Sequence, residues 1–321
     1  MARRRNELIG DELDVVQKSL KSEVMSFDGA MEIFLKDAKR KGLREFTLRY
    51  YVRECNDFRK YLAREEHSLI INEVVRRHID EFIEDMQERR CLRTVTINTK
   101  LRAIRTLFNF LYERKYIDEN PMHKYPLLKE RKANIETLSL KQLRQLLNAP
   151  NMRTFTGQRD YTFMLLILET GIRLNEAAGI LVDDVKLAEG QIFIRNTKNH
   201  FHRYVPIQEK MKEQLRRYLK LRGTCETDHL FVTIDETAMT RSQLQKVTAK
   251  YGKIANIKGV RCSTHTLRHT FAKLSVMNGA GVFELQKILG HSSMEMVRVY
   301  VNLFSSEVSE KHRQFSPLNN L

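Results

Sequence analysis

The sequence predicts a mainly α-helical protein with one small antiparallel β-sheet. Apolar residues recur at helical spacing along most of the chain. This pattern gives way to short alternating segments at one place, between residues 185 and 207. A length of 321 residues suggests about two domains. A composition of 42% hydrophobic and 30% charged residues is typical of a folded chain.

The N-terminal half is predicted as a polar arm followed by four helices. Residues 1–25 are polar and charged, and we assign them to the arm. Residues 26–117 carry four apolar stripes at helical spacing, which is typical of a small all-α domain. Residues 118–136, with the sequence DENPMHKYPLLKERKANIE, hold two of the five prolines and many charges. We interpret them as a linker.

The second half, residues 137–321, is predicted as a mostly helical domain with a C-terminal tail. Ser139 can cap its first helix, with Gln142 at the capping-box position, and a later apolar helix stops at Gly171. The three predicted strands are Val185, Gln191–Arg195 and Tyr204–Ile207. The helices expected after them are Lys210–Leu221, Arg241–Ala255, Leu267–Asn278, Val282–Leu289 and Met294–Tyr300.

The charge of the chain predicts a polyanionic partner. Lys and Arg number 56 against 40 Asp and Glu, a net charge of +16. No acidic residue occurs from Arg89 to Tyr112, and none occurs between Glu236 and Glu284. Surfaces that are merely solvated usually mix both signs, so these acid-free windows predict two DNA-facing surfaces. The residues that we expect to bind DNA are Lys100, Arg102, Arg105, Arg241 and Lys246.

Several other classes of protein lack support in the sequence. There is no GxxxxGK[ST] phosphate loop, no GxGxxG and no HExxH motif, so we expect neither a nucleotide cofactor nor a metal. The four cysteines are scattered, without metal-ligand spacing. No apolar run reaches the roughly 18 residues of a membrane span, and the N-terminus lacks the apolar segment of a signal peptide. We therefore expect a soluble intracellular protein that does not contact a membrane.

The residues that suggest chemistry are cations, histidines and one tyrosine. Arg173 follows the helix-ending Gly171, and Glu176 lies three residues on, close enough to hold its guanidinium. His265 and Arg268, spaced i and i+3, share one helical face. The remaining candidates are Lys198 in the predicted hairpin, His291 after a helix end, and Tyr300 nine residues later.

In this order the motifs resemble a known family. ETGIRLNEAAGI, TKNHFHRYVPI, HTLRHTFA and LGHSSMEMVRVY are similar to the signature boxes of the tyrosine site-specific recombinases, the phage integrase family. The layout resembles Xer-type and mobile-element integrases from about Phe27 to Arg313. The resemblance implies an N-terminal four-helix, SAM-like core-binding domain and a tyrosine-recombinase catalytic domain.

The resemblance also implies roles at the matching positions. Tyr300 would attack a scissile phosphodiester and leave a 3′-phosphotyrosyl bond and a free 5′-hydroxyl. By the same resemblance, Arg173 and Arg268 would clamp the phosphate, and Glu176 would orient Arg173. Lys198 would donate a proton to the 5′-oxygen. His265 would assist proton transfer at the tyrosine, and His291 would hydrogen-bond the phosphate. Arg195 and Arg203 remain alternatives to Lys198. By residue type alone Tyr204 and Tyr251 are alternatives to Tyr300.

The expected function is site-specific recombination of DNA without metal or ATP, in integration, excision or resolution. A cationic pocket can activate a tyrosine, and exchange of one phosphodiester for another retains the bond energy. The expected partners are duplex DNA with recombination sites, three further copies of the chain in a tetramer on two duplexes, and accessory DNA-bending proteins. The expected location is a prokaryotic cytoplasm, at the nucleoid. The alternatives are a type IB topoisomerase-like relaxing enzyme and a non-catalytic DNA-binding regulator.

Overall fold

The computed structural model describes residues 25–130, 135–195 and 202–290, which fall into two units. Unit 1 comprises Met1–Lys132 and unit 2 comprises Ala133–Leu321. Both units are mainly helical, and unit 2 also contains a three-stranded antiparallel sheet. The predicted fold class is confirmed. Among the described helices, none is long and apolar enough to cross a membrane.

Unit 1 contains the four helices that the sequence predicts. They are α1 (Phe27–Arg40), α2 (Glu45–Arg64), α3 (Arg76–Glu84) and α4 (Thr94–Glu113). Ser26 begins α1 by accepting a hydrogen bond from the Gly29 amide at 3.1 Å, which satisfies one of the free donors of the first turn. The buried aromatic side chains of Phe58, Phe82 and Phe108 lie in one core that all four helices share.

The first part of the predicted linker packs on unit 1 instead of bridging solvent. Met122 and Tyr125 are buried in its core. The Asn98 side-chain amide, on α4, donates to the Leu128 carbonyl at 2.9 Å. Proline and charge marked this segment correctly as non-helical, but its few apolar side chains are enough to hold it against the helices. Residues 118–130 therefore belong to unit 1, which corrects this part of the predicted linker 118–136.

Unit 2 contains seven described helices and the small sheet. The helices are α5 (Leu140–Asn148), α6 (Phe155–Thr170), α7 (Leu174–Ala178), α8 (Glu209–Arg222), α9 (Arg241–Ile254), α10 (Thr264–Met277) and α11 (Val282–Leu289). Ser139 and Gln142 form the predicted capping box at the start of α5. Helix α6 is buried along most of its length and packs against α8 and α10, which makes it the centre of the unit.

The sheet has the strand order β1–β2–β3, with strands Val185–Lys186, Gln191–Ile194 and Arg203–Pro206. In the register of β2 and β3, Ile192 lies opposite Val205 and Phe193 lies opposite Tyr204. Ile192 and Val205 are fully buried, whereas Tyr204 is 57% exposed. Because side chains alternate between the two faces of a strand, Arg203 lies on the same face as Val205, the face that packs on the core.

Candidate active site

A glycine at the end of α6 positions the first arginine of the site. Gly171 has a φ of 60°, the left-handed conformation that commonly ends helices. A Cβ atom there would lie 2.3 Å from the Phe271 ring and 2.7 Å from the Leu289 side chain. Only glycine fits this tight reversal. Two residues later Arg173 stands at the N-cap of α7, with its side chain 28% exposed.

The second arginine reaches the same place from another helix. Arg268 lies on α10 and is 4% exposed. Its Nη1 donates to the Gly171 carbonyl, and its Nη2 donates to the Leu289 carbonyl at 3.0 Å. Arg173 donates to the Leu289 carbonyl at 3.2 Å and to the Gly290 carbonyl at 3.1 Å. The structure therefore brings together the two arginines that the sequence named, at the C-terminal end of α11.

Glu176 holds Arg173 as predicted, and its carboxylate is almost fully buried. Its Oε1 accepts from Arg173 Nη1 at 3.1 Å, and its Oε2 accepts from the Arg173 backbone amide at 2.9 Å. Burial alone would raise the pKa of Glu176. Hydrogen bonds and charge, from Arg203 first and then from Arg173, outweigh burial and hold this pKa below its usual value. Glu176 is thus a carboxylate at neutral pH.

Arg203 is the residue that the sequence interpretation missed. The sequence offers it only as an alternative to Lys198, whereas in the structure it bonds to Glu176 and to the end of α11. Its Nη1 and Nη2 donate to the two Glu176 oxygens at 3.1 and 2.8 Å, and its Nε donates to the Ile288 carbonyl at 3.0 Å. Strand alternation was the available signal: a charged residue two positions before the buried Val205 requires a buried partner.

The two histidines of α10 lie beside this group of arginines. His265 is exposed, and its ring centroid lies 6.5 Å from that of His269. Partial desolvation, followed by the positive charges of Arg268, Arg241, Arg173 and Arg261, lowers the pKa of His265. Desolvation, followed by His265 and Arg268, lowers the pKa of His269 to about 4. At neutral pH both rings are therefore neutral and can accept a proton or a hydrogen bond.

Three predicted site residues, Lys198, His291 and Tyr300, lie outside the described residues. The structure does describe the chain that leads to two of them. Arg195, the alternative to Lys198 at the end of β2, donates to the buried carboxylate of Asp184 at 2.6 Å. Its guanidinium is therefore already part of an ion pair. Gly290, with a φ of 62°, ends α11 immediately before His291.

The two alternative tyrosines are described. Tyr251 is buried, and its hydroxyl donates to Asp160 at 3.0 Å. Desolvation and then the Asp160 charge raise the pKa of Tyr251, which makes it a poorer nucleophile. Tyr204 is exposed on β3, where its ring packs 4.9 Å from that of Phe193, centroid to centroid.

Of the predicted DNA contacts in unit 1, Lys100 has a different role. Its side chain is 11% exposed, and its ammonium lies 2.7 Å from a Glu54 oxygen and 2.9 Å from an Asp57 oxygen. It therefore stabilises the packing of α4 on α2 and does not present a phosphate-binding surface, which corrects the expectation. Arg102 is half exposed and lies 3.5 Å from Glu130, whereas Arg105 donates to the Tyr125 carbonyl.

The predicted DNA contacts in unit 2 are accessible. Arg241 and Lys246 lie on α9 and are both exposed. Arg241 is also close enough to His265 to lower the pKa of that histidine. In the part of the chain that the structure describes, no group of three His, Cys, Asp or Glu side chains could hold a metal ion. The described site thus consists of guanidiniums, one carboxylate and two imidazoles.

Comparison with known proteins gives matches in both units. The model of the phage integrase family matches residues 136–307, and that of the phage integrase N-terminal SAM-like domain matches residues 32–115. The tyrosine recombinase XerC of Thermodesulfovibrio yellowstonii is 30% identical over 288 residues, covering 87% of this chain and 93% of the relative.

Two solved structures share the fold. A lambda integrase tetramer bound to a Holliday junction matches with a TM-score of 0.73 and 14% identity, over 89% of this chain and 80% of that chain. The XerH site-specific recombinase bound to a palindromic difH substrate, a post-cleavage complex, matches with a TM-score of 0.70 and 20% identity. That match covers 98% of this chain and 91% of the other.

Proposed function

The chain belongs to the phage integrase family and is a site-specific tyrosine recombinase that cuts and rejoins DNA, and from this premise we propose which residues carry out each step. Tyr300 attacks the scissile phosphodiester. The bond from phosphorus to the 5′-oxygen breaks as the bond from phosphorus to the tyrosine oxygen forms. The products are a 3′-phosphotyrosyl linkage and a 5′-hydroxyl. Attack by that hydroxyl restores the original strand, whereas attack by the 5′-hydroxyl of another strand joins the two strands; in both cases the tyrosine oxygen leaves and regains its proton.

One observation carries the assignment of the phosphate clamp. Arg173 and Arg268 come from different helices, yet both donate to the carbonyl oxygen of Leu289. Two guanidiniums that converge on one oxygen can also bind the non-bridging oxygens of a phosphodiester. There they neutralise the charge that grows on pentacoordinate phosphorus. Glu176 keeps Arg173 in place.

Two proton transfers accompany cleavage, one from the Tyr300 hydroxyl and one to the departing 5′-oxygen. His265 accepts the proton of the Tyr300 hydroxyl, since its lowered pKa leaves the imidazole neutral at pH 7. Lys198 donates a proton to the departing 5′-oxygen, and His291 donates a hydrogen bond to the phosphate. Because the phosphotyrosyl linkage retains the energy of the original ester, rejoining requires no ATP, and cations of the protein replace a metal.

DNA binding involves both units in this proposal. Residues 26–117 form the core-binding domain, in which Arg102 and Arg105 face the DNA backbone, and residues 137–321 form the catalytic domain. Arg241 and Lys246 contact phosphates from α9, in support of which both are exposed. Phosphate contacts of this kind position a protein on DNA without reading its sequence.

Four copies of the chain act on two duplexes, as in the lambda integrase tetramer bound to a Holliday junction. The segment from Phe304 to Gln314 docks on a neighbouring copy. Deletion of residues 304–321 should abolish synaptic complexes in native gels but retain binding to a single site. Unchanged synapsis and strand exchange would refute this docking. The XerC relative is bacterial, and we place this chain in a bacterial cytoplasm, at the nucleoid.

The experiment that tests the chemistry uses a nicked suicide duplex that carries the recombination site. The wild-type chain should form a covalent DNA adduct that resists denaturation, and Tyr300→Phe should form none. Tyr204→Phe is the matched control, because it removes a hydroxyl from an exposed tyrosine of the same unit. The assignment of the nucleophile would be overturned if Tyr300→Phe formed an adduct. It would also be overturned if Tyr204→Phe were the variant that formed none.

A further inference from the structure

The pairing of Glu176 with two arginines suggests a part for Arg203 in catalysis. The side chain of Arg203 is 12% exposed and that of Glu176 is 1% exposed. Each carboxylate oxygen of Glu176 accepts one bond from Arg203 and one from Arg173. A single negative charge is therefore shared between two positive ones.

We propose that Arg203 is a positioning residue for the catalytic Arg173, acting through Glu176 and the last turn of α11. This inference rests on the proposed function, in which Arg173 binds the scissile phosphate. Arg203 does not contact the phosphate in this proposal. It determines where the Arg173 guanidinium lies and how much positive charge that guanidinium retains.

The site holds more positive than negative charge. Arg173, Arg203 and Arg268 carry three positive charges against the one negative charge of Glu176. Without Arg203, Glu176 would pair with Arg173 alone and neutralise most of its field. With Arg203 present, the carboxylate is divided between two partners, so Arg173 can attract an anion and still be held in position.

Arg203 also holds the C-terminal end of α11 in place. Arg203 donates to the Ile288 carbonyl, and Arg173 donates to the two carbonyls that follow it. A Cβ atom on Gly290 would lie 2.7 Å from Arg203 Nη1, so the guanidinium fills the space that a side chain would need. The same Arg203 side chain therefore links β3, Glu176 and the turn that enters His291.

The test compares cleavage of a normal scissile phosphate with cleavage of a methylphosphonate. The methylphosphonate replaces one charged non-bridging oxygen with a neutral methyl group, so it needs one cation less. Both separated diastereomers are used, in single-turnover reactions on the nicked suicide duplex. Arg203→Ala should lower the rate on the phosphodiester by about 10- to 100-fold, as is usual for residues that orient a reacting group. On the diastereomer that rescues Arg173→Ala, the rate of Arg203→Ala should be less than about threefold below that of wild type.

Arg159→Ala is the matched control. Arg159 is also a buried arginine of unit 2 that pairs with a carboxylate, Asp160, and donates to a carbonyl, that of Val232. Any loss that it causes through destabilisation should be equal on all three substrates. If Arg203→Ala behaves in that way, or shows no loss, the inference fails.

A second variant guards against misfolding. Arg203→Lys retains the charge, but an ammonium cannot bond both Glu176 oxygens and the Ile288 carbonyl in the same geometry. It should lose less than Arg203→Ala and be rescued by the same diastereomer. An equal loss on all substrates would overturn the inference. A wild-type rate for Arg173→Ala on the phosphodiester would instead refute the proposed function, so the two failures can be distinguished.

Discussion

Two buried groups of charges, one in each unit, use their ions in opposite ways. In unit 1 the ammonium of Lys100 lies between two carboxylates, those of Glu54 and Asp57, which also pair with the more exposed Arg53 and Arg90. In unit 2 one carboxylate, Glu176, serves two arginines. The first arrangement encloses one ammonium between two carboxylates, whereas the second gives two guanidiniums a single carboxylate and leaves positive charge available for a phosphate. The comparison teaches that a cation in an acid-free stretch of sequence is available only if no other helix supplies its counterion.

The first prediction, with the largest expected effect, concerns removal of the buried lysine from the charged group in unit 1. Lys100→Ala should lower the free energy of unfolding by about 3 kcal/mol, because the buried Glu54 carboxylate is then left with only the exposed Arg53 as its partner. Urea denaturation of the full chain measures the change. Lys60→Ala, at an exposed lysine of α2, should stay within about 0.5 kcal/mol of wild type. A loss at Lys100 no larger than at Lys60 would contradict the structural role.

The second prediction concerns removal of an arginine from the charged group in unit 2. Arg268→Ala should slow adduct formation by about 10²- to 10³-fold, the usual cost of removing one donor to a developing oxyanion. Affinity for the site, measured at fixed salt, should change far less. The control is Arg222→Ala, at a buried arginine that donates to the His229 and Gly223 carbonyls in the same unit. An equal loss of affinity and rate in Arg268→Ala would argue against a role in the transition state.

The third prediction concerns pH. His269 has a pKa of about 4 in the folded chain, below the roughly 6.5 of an unfolded histidine. Between these values the unfolded state binds more protons, so stability falls as the pH drops from about 6.5 to about 4. One such group contributes a slope of at most about 1.4 kcal/mol per pH unit. His269→Gln should flatten the pH dependence of urea unfolding in this window, and an unchanged slope would contradict the prediction.

The fourth prediction, with the smallest effect, concerns salt. Arg241→Ala and Lys246→Ala should each reduce the slope of log K against log salt by about 0.9, the value for one phosphate contact on duplex DNA. Lys100→Met should leave this slope unchanged, because the Lys100 ammonium is already paired. A smaller slope in Lys100→Met, with wild-type slopes in the other two variants, would reverse the comparison between the units.

Local features of the site were predictable from the sequence. Gly171, Arg173 and Glu176 are separated by a few residues, so a helix end and an i, i+3 pair could be deduced from spacing alone. The capping box at Ser139 was predictable for the same reason. In these cases the interacting groups are neighbours in the chain, and the backbone geometry of a helix determines their distance.

Long-range pairing was not predictable in the same way. Lys100 belongs to an acid-free window, and its two counterions come from α2, more than forty residues earlier in the chain. The charge pattern along the sequence therefore predicted a DNA contact for a lysine that the structure pairs with carboxylates. The first part of the predicted linker was misjudged because Met122 and Tyr125 find a core surface that their own segment does not reveal.

The sequence by itself determined the fold class, the order of the motifs and the family of enzymes to which they belong. It did so because periodicity, caps and signature boxes depend on residues close together in the chain. Only the tertiary structure decided that Arg173, Arg203 and Arg268 meet at the last turn of α11. The acceptors there are backbone carbonyls. Every residue has one, so no side-chain pattern at residues 288–290 could have identified them.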